Sequence, residues 1–483
     1  MKKIYYILLI TATGLSACQK NYLTVEPETN QNGANYYKNK DQFIKAVNGA
    51  YAPLQALFNK SFWEMAEMRS DNTSYQLNNE DHSGILLQEL DEFKEISMND
   101  EVQEFLQSNY TGIGRCNIIL SRLPKAKIDD PKAVDQIIGQ ASFLRAYYYF
   151  NLVRMFGNVP LVLAEVSSKD DAFKINQRKP VADIYASIIT DATAAINTLT
   201  EVYTEDNSKG RATKGAARTL LADIYLTTKK YDLAIQQLRP LLTSVYQLNA
   251  NYADNFDVKK KNGPESIFEI QYMEGPNGLH SVLADRFAPW DSPDGLITGF
   301  PINHDLFNGW NIPTRDFLEA YETGDLRRAV SVGENFISEQ TGEMVPYVKK
   351  YNSPHAVREI SGNNFPVYRY ANVLLMLAEC LNETGASGEA LQYLNQVRNR
   401  AGLPTFNNTN QTDLRKAIIQ ERRMELAFEN QRWFDLLRTG TAVEVMTLHA
   451  AREKQQKHYL SAGVYGNIRL LYLYPQREIN LEQ

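Results

Sequence analysis

The stretch Gly139-Gln-Ala-Ser-Phe-Leu-Arg-Ala-Tyr-Tyr-Tyr-Phe-Asn-Leu-Val-Arg-Met-Phe-Gly-Asn-Val-Pro160 reads as one buried helix with a tight exit. Phe143, Tyr147, Phe150 and Val153 share one helical face, while Leu144, Tyr148, Leu152 and Met155 fill the adjacent one. The apolar surface is wider than a single amphipathic stripe, so this helix needs neighbours on several sides. Gly157 stands where a left-handed residue ends a helix cheaply, and Val159-Pro160 then imposes extended chain. Periodicity alone supports a core helix of a mostly α protein.

Outward from this helix the same period recurs. Phe43, Val47, Tyr51 and Leu54 mark a helix from Asp41 on, residues 61–72 continue in the same style, and another helix is expected over residues 101–123. After a charged connection at 169–179, Ile184, Ile188, Ala192 and Ile196 carry a helix over 181–199. Two further segments align without gaps. Leu221-Ala222-x-x-Tyr225 with Ala234 and Leu238 matches Leu377-Ala378-x-x-Leu381 with Ala390 and Leu394 at identical offsets. That spacing is of the tetratricopeptide kind, where a small residue lets paired helices approach and larger ones interlock between repeats.

Between the repeats, residues 249–366 lose helical periodicity and are rich in Gly, Pro, Asn, Asp and aromatics. So long an irregular segment with so many large apolar residues reads as folded and functional. Ser266-Ile-Phe-Glu-Ile-Gln-Tyr272 alternates like a strand, residues 299–302 read as extended, and Pro313-Thr-Arg starts a helix reaching Tyr321. The expected fold is mostly α: a tetratricopeptide-like helix-pair scaffold carrying an irregular, short-stranded insertion.

The 483 residues carry a formal net charge of −6, which gives no basic footprint for nucleic acid. Met1-Lys-Lys, the apolar run from Ile4 to Ile10 and Leu15-Ser-Ala-Cys18 read as a secretory signal. Leu-Ser-Ala-Cys resembles a bacterial lipobox, which makes residues 1–17 a signal peptide and Cys18 the lipidated first residue of the mature chain. Residues 18–38 are then a tether. Cys116 and Cys380 lie inside helical patterns and are expected as buried thiols, and no metal-type Cys/His spacing occurs.

The wording of the central helix, Phe-Leu-Arg-Ala-Tyr-Tyr-Tyr-Phe…Phe-Gly-Asn-Val-Pro-Leu-Val at 143–162, resembles the signature helix of the SusD/RagB family of Bacteroidetes outer-membrane nutrient-binding lipoproteins. Residues 368–383, 394–402 and 421–438 resemble further family signatures in the family's order. The ending Tyr472-Leu-Tyr-Pro-Gln-Arg-Glu-Ile479 departs from the more usual Pro-Ile-Pro before the Glu. The resemblance implies a SusD-like domain over 39–483, its scaffold at about 39–248 and 367–483 and its ligand-binding insertion at about 249–366. It also implies a lipoprotein of the outer membrane, facing the cell exterior, that captures oligosaccharide or polysaccharide and passes it to a SusC-like TonB-dependent β-barrel transporter. No cofactor is required. Peptide capture on the same scaffold, and a surface hydrolase using an unseen carboxylate pair, are the other readings.

Catalytic motifs are missing: there is no Gly-x-Ser-x-Gly elbow, no His-Glu-x-x-His pair and no phosphate-cradling loop, so no enzyme is expected. Glu421, Arg422, Arg423, Glu425, Arg432 and Asp435 are assigned to structure, because Arg forks satisfy buried carboxylates. A sugar site needs flat apolar faces beside amides, carboxylates or Arg, and loops present such mixtures well. The insertion offers Tyr272, Arg286, Phe287, Trp290, Asp291, Asn303 and Trp310, and the loop after the early helix offers Arg69, Asp71, Asn72 and Tyr75. Trp290 ranks first, because turn residues surround it in Phe287-Ala-Pro-Trp-Asp-Ser-Pro-Asp-Gly295.

Overall fold

The computed structural model describes residues 36–481 except 79–82, 169–170, 172–174, 206–207, 243–244, 276–277, 293–295, 297–307 and 356. Cys18, the signal segment, Asn303 and the extended stretch expected at 299–302 lie outside the described residues. The first half holds α1 (Lys40–Asn59), α2 (Ser61–Ala66), β1 (Thr73–Ser74), α3 (Ile85–Asp91), α4 (Asp100–Arg122), α5 (Pro131–Phe156), β2 (Val159–Pro160), β3 (Arg178–Lys179), α6 (Val181–Thr198), α7 (Lys214–Thr227) and α8 (Tyr231–Leu238). The insertion holds β4 (Ser266–Ile270), α9 (Leu283–Arg286), β5 (Ile312–Pro313), α10 (Arg315–Glu319), α11 (Arg328–Ser331), β6 (Val332–Gly333), β7 (Tyr347–Val348) and the start of β8 (Phe365–Arg369). The C-terminal part holds α12 (Tyr370–Glu383), α13 (Ser387–Arg400), α14 (Gln411–Glu425), α15 (Arg432–Thr439), α16 (Ala442–Gln456) and α17 (Gln476–Leu481).

The central helix is α5, and it begins earlier than its apolar run. The Asp130 side chain caps it by accepting from Ala133 N–H, and Pro131 occupies its first turn, where a missing N–H costs nothing. Every residue from Gly139 to Phe156 is buried except Arg145. At the far end Gly157 takes φ +71°, as its position after the last turn predicts. Helix packing runs α1 on α4, α4 on α5, α5 on α6, α6 on α7, α7 on α8, α8 on α12 and α12 on α13.

The two aligned segments are therefore neighbours in space. Ala222, Ala234, Leu238, Ala378, Ala390 and Leu394 are all fully buried, where the α7/α8 pair meets the α12/α13 pair. The insertion leaves the scaffold after α8 and returns through β8, whose antiparallel pairing with β4 (Ser266↔Arg369, Ile270↔Phe365) closes its base. β4 is buried on both faces instead of alternating, because it is covered on both sides and Glu269 turns inward to accept from Asn262 N–H and Asn364 Nδ2. Two local expectations were too long. The helix expected over 61–72 stops at Ala66, and α10 spans only Arg315–Glu319, with Thr314 as its cap and Pro313 in β5.

A buried ionic network fastens insertion to scaffold. Arg369 reaches Glu265 at 2.6 Å, Glu425 at 2.8 Å and Glu429 at 2.8 Å; Arg327 reaches Asp325 at 2.7 Å, Glu421 at 2.6 Å and Glu425 at 3.0 Å. Lys350 adds a bond to Glu429 at 2.8 Å. Burial works to raise the Glu425 carboxyl, but Arg400, Arg369 and Arg327 prevail and hold it down at about 2. The Arg- and Glu-rich signature of α14 and α15 is thus structural, as its chemistry suggested. Cys116 and Cys380 are buried free thiols, and burial pushes Cys116 up to about 12.

Candidate functional site

Three chain segments meet around the turn that carries Trp290. The stretch 308–314 threads between the Arg286–Trp290 turn and the strand that follows α2. Gly309 N–H donates to Ala288 O at 2.7 Å, and Gly309 O accepts from Gln76 N–H at 2.8 Å. β1 and β5 then pair, Thr73 opposite Pro313 and Ser74 opposite Ile312. Gly309 has φ +82°, and a Cβ there would stand 3.2 Å from Trp290 Cβ, so glycine is what allows this close crossing.

The side chain of Gln76 clamps the turn. Its Oε1 accepts from Trp290 N–H at 2.6 Å and its Nε2 donates to Asp291 Oδ1 at 2.9 Å. On the other side, Ser338 Oγ donates to Asp291 Oδ2 at 2.5 Å. Burial works to raise the Asp291 carboxyl, yet the bonds from Ser338, Gln76 and Gln340 N–H hold it below the ordinary carboxylate range. Arg286 pairs with Glu359 at 3.0 Å, beside the same turn. Trp290, Asp291 and Arg286 are all half-buried, so this group presents an indole, a carboxylate and a guanidinium at the surface.

An aromatic line leads away from Trp290. Trp310, next to Gly309, packs its ring on Gly84, where a Cβ would fall 2.1 Å from Cζ2. Its ring lies 6.2 Å from that of Tyr75, which lies 6.4 Å from that of Tyr459. Tyr75 is buried and bonds Glu92, whereas Tyr459 is 44% exposed. Gln76, Ser338 and Tyr459 were not singled out from the sequence. The signals present were an amide directly after Tyr75 and an aromatic in the polar run Lys457-His-Tyr459 that follows a helix.

Seven of the expected ligand residues are buried; Phe287, Asn72 and Tyr75 are 1%, 1% and 3% exposed, and the other four are Tyr272, Trp310, Arg69 and Asp71. Tyr272 is buried, its hydroxyl donating to Gln55 O at 2.8 Å and its N–H to Asn364 Oδ1 at 2.8 Å. Trp310 is 6% exposed and backs the site instead of facing solvent. Arg69 is fully buried: it pairs with Glu95 at 2.8 Å and lies over the Phe93 and Tyr472 rings at 3.9 and 4.2 Å. Asp71 takes Arg432 at 2.7 Å and Arg423 at 2.9 Å. Burial alone would raise its carboxyl, but these two guanidinium groups hold it far below its usual range. The loop looked exposed because it is polar; the physical reason it is not is that buried Arg423 and Arg432 require a carboxylate, and Asp71 supplies it. Among the described residues no group of three or more His, Cys, Asp or Glu side chains is arranged to hold a metal ion.

Stacked helix pairs that carry a long insertion with a braced aromatic turn define a helical-repeat protein. The profile of the SusD family matches residues 306–480, and a second profile, described as starch-binding associating with outer membrane, matches residues 21–226. The chain belongs to the SusD/RagB family. It is 29% identical to SusD-like protein P2 of Formosa agariphila over 92% of this chain and 91% of that protein. Among solved structures it resembles surface glycan-binding protein A from Bacteroides uniformis, at 25% identity and TM-score 0.72 over 83% of this chain and 88% of that one. It shares the fold of surface glycan-binding protein A from Bacteroides thetaiotaomicron in complex with laminarihexaose, at 23% identity and TM-score 0.75, covering 92% and 98% of the two chains.

Proposed function

We propose that this protein binds an oligosaccharide or polysaccharide at the Trp290 turn on the outside of the cell and hands it to a SusC-like TonB-dependent β-barrel, doing no chemistry on it. The observation that carries the reading is the half-buried indole held in a pre-set turn by Gln76 and Asp291. A flat aromatic face stacks on the C–H face of a sugar ring, and a turn already fixed before binding loses little further entropy. Arg286 supplies donors for paired hydroxyls. Asp291 accepts from Gln76, Ser338 and Gln340 N–H, and its part is to fix the turn that holds the indole. Affinity is expected to be modest, because sugar hydroxyls must leave water before pairing with protein. That suits capture followed by release.

The starch-binding, outer-membrane description of the matched profile and the glycan-binding relatives support the ligand class and the location. Anchoring is assigned to lipid on Cys18, and no helix among the described residues is long and apolar enough to cross a membrane. Affinity electrophoresis of the full chain through gels containing single polysaccharides tests the binding reading. Retardation by at least one glycan is expected, and migration unchanged by every glycan, with retardation of a labelled peptide pool instead, would overturn it.

A further inference from the structure

Away from the Trp290 turn, two cavities of about 500 Å³ each adjoin one another and share Lys209, Gly210, Arg211, Phe268 and Glu269 in their walls. Gly210 brings them this close. At φ +83° it passes directly over the Gln271 side chain, and a Cβ there would stand 2.4 Å from Gln271 Cδ. The two hollows share a wall made of the 209–211 loop and of Phe268 and Glu269 in β4.

The lining is amphipathic and fixed. Two Val-Tyr pairs, Val202-Tyr203 and Val245-Tyr246, contribute to the first cavity; both valines are exposed, at 50% and 44%. Their tyrosines are anchored by their hydroxyls, Tyr203 to Gln136 Oε1 at 2.7 Å and Tyr246 with Thr213 at 3.2 Å, so their rings are held in place. Tyr51 and the 42%-exposed Leu279 line the second cavity. The polar part is ordered as well: Asn262 and Gln271 exchange two amide bonds of 2.9 Å. Charge in the walls cancels, Lys209 and Arg211 against Glu201 and Glu269. Arg211 leans on the Gln140 amide at 3.1 Å, Glu201 pairs with Lys214, and Glu269 is held by Asn262 and Asn364.

We infer that this double hollow is a second binding groove for a neutral oligosaccharide chain, an inference that rests on the glycan reading of the protein. Exposed aliphatic side chains and half-buried tyrosines beside fixed amides, with no net charge, match a neutral polyhydroxylated ligand better than an acidic one. Its placement fits a chain that also reaches the Trp290 turn. Asn48, Ala52, Gln55 and Asn59 recur on one face of α1; the first three line the second cavity. Asn59 Nδ2 donates to His280 O at 2.8 Å, at the start of the segment that leads to Trp290. Asn48 to Asn59 spans about 16 Å of helix.

Calorimetric titration of the full chain with laminarihexaose, maltohexaose and cellohexaose, with hexagalacturonate as the acidic counterpart, tests this. In Trp290→Ala, which isolates the groove, at least one neutral hexasaccharide is expected to keep measurable binding. Adding Val202→Asp and Val245→Asp should weaken that residual binding at least fivefold with the circular dichroism spectrum unchanged. Val245→Trp, which fills the cavity mouth without adding charge, should give the same loss independently. Binding in the wild type that vanishes entirely in Trp290→Ala would overturn the groove and leave the glycan reading intact. Residual binding indifferent to the groove variants, or tighter for hexagalacturonate than for any neutral probe, would also overturn it. No binding of any probe by the wild type would take down both readings.

Discussion

Trp290 is set apart from Trp63, Trp310 and Trp433 by its surroundings. Those three are 1%, 6% and 0% exposed, while Trp290 stands half-buried at a turn whose backbone N–H is already satisfied by Gln76. Its side chain can therefore be removed without opening a core cavity. Trp290→Ala is expected to weaken glycan binding by about tenfold, near 1.4 kcal/mol, with the thermal midpoint unchanged, as read by affinity gels beside a melting curve. Asp71 gives the opposite result. Asp71→Asn leaves the Arg423 and Arg432 guanidinium groups buried without their carboxylate, so a loss of about 3–5 kcal/mol in urea unfolding is expected, with unchanged affinity in the molecules that remain folded. The sequence distinguished the two residues poorly, since both sit in polar loops. Turn chemistry around Trp290 was legible from Pro289, Asp291 and Ser292, whereas burial of Asp71 depends on arginines more than 350 positions away (Arg423 to Asp71 spans 352).

At the scale of elements, β1 is held against α3 and α16 by a buried polar group. Ser74 Oγ donates to Asp91 at 2.9 Å, Tyr465 donates to the same carboxylate at 3.0 Å, and Lys457 reaches Ser74 at 2.7 Å and Glu453 at 2.6 Å. Burial pushes the Asp91 carboxyl up to about 7, against the pull of Lys457 and the bonds from Ser74 and Tyr465. Between about pH 4 and pH 7 the native carboxyl keeps a proton that the unfolded chain has lost, so this group makes stability fall as pH rises through that window and stop falling above it. Asp91→Asn removes this contribution. The difference in urea midpoint between pH 5 and pH 8 is expected to shrink in the variant, and a difference equal to the wild type would refute the assignment. Gln76→Ala belongs at the same scale: it unclamps the Trp290 turn, and a three- to tenfold loss of glycan affinity is expected alongside faster amide exchange at Trp290.

The helical repeats were the most legible part of the whole molecule, because the small and large residues that let helices interlock recur at fixed offsets, and Ala222 and Ala378 are buried where those offsets put them. The insertion was legible as folded but not in detail. Its short strands take their partners from distant segments, β1 with β5 and β4 with β8, and its attachment depends on ion pairs that no local pattern displays. Glu425 is central to that attachment, touching Arg369, Arg327 and Arg400 together. Glu425→Gln is expected to cost about 3–5 kcal/mol, and a biphasic unfolding curve would show insertion and scaffold separating. The claim that unites the scales is that a glycan lies on Trp290. Because the other three tryptophans are buried, acrylamide quenching of tryptophan emission from the full chain reports chiefly on this residue. With a polysaccharide that retards the protein in gels, quenching is predicted to fall on binding and to show no such fall in Trp290→Phe; retardation with quenching unchanged would place the ligand elsewhere and contradict the account.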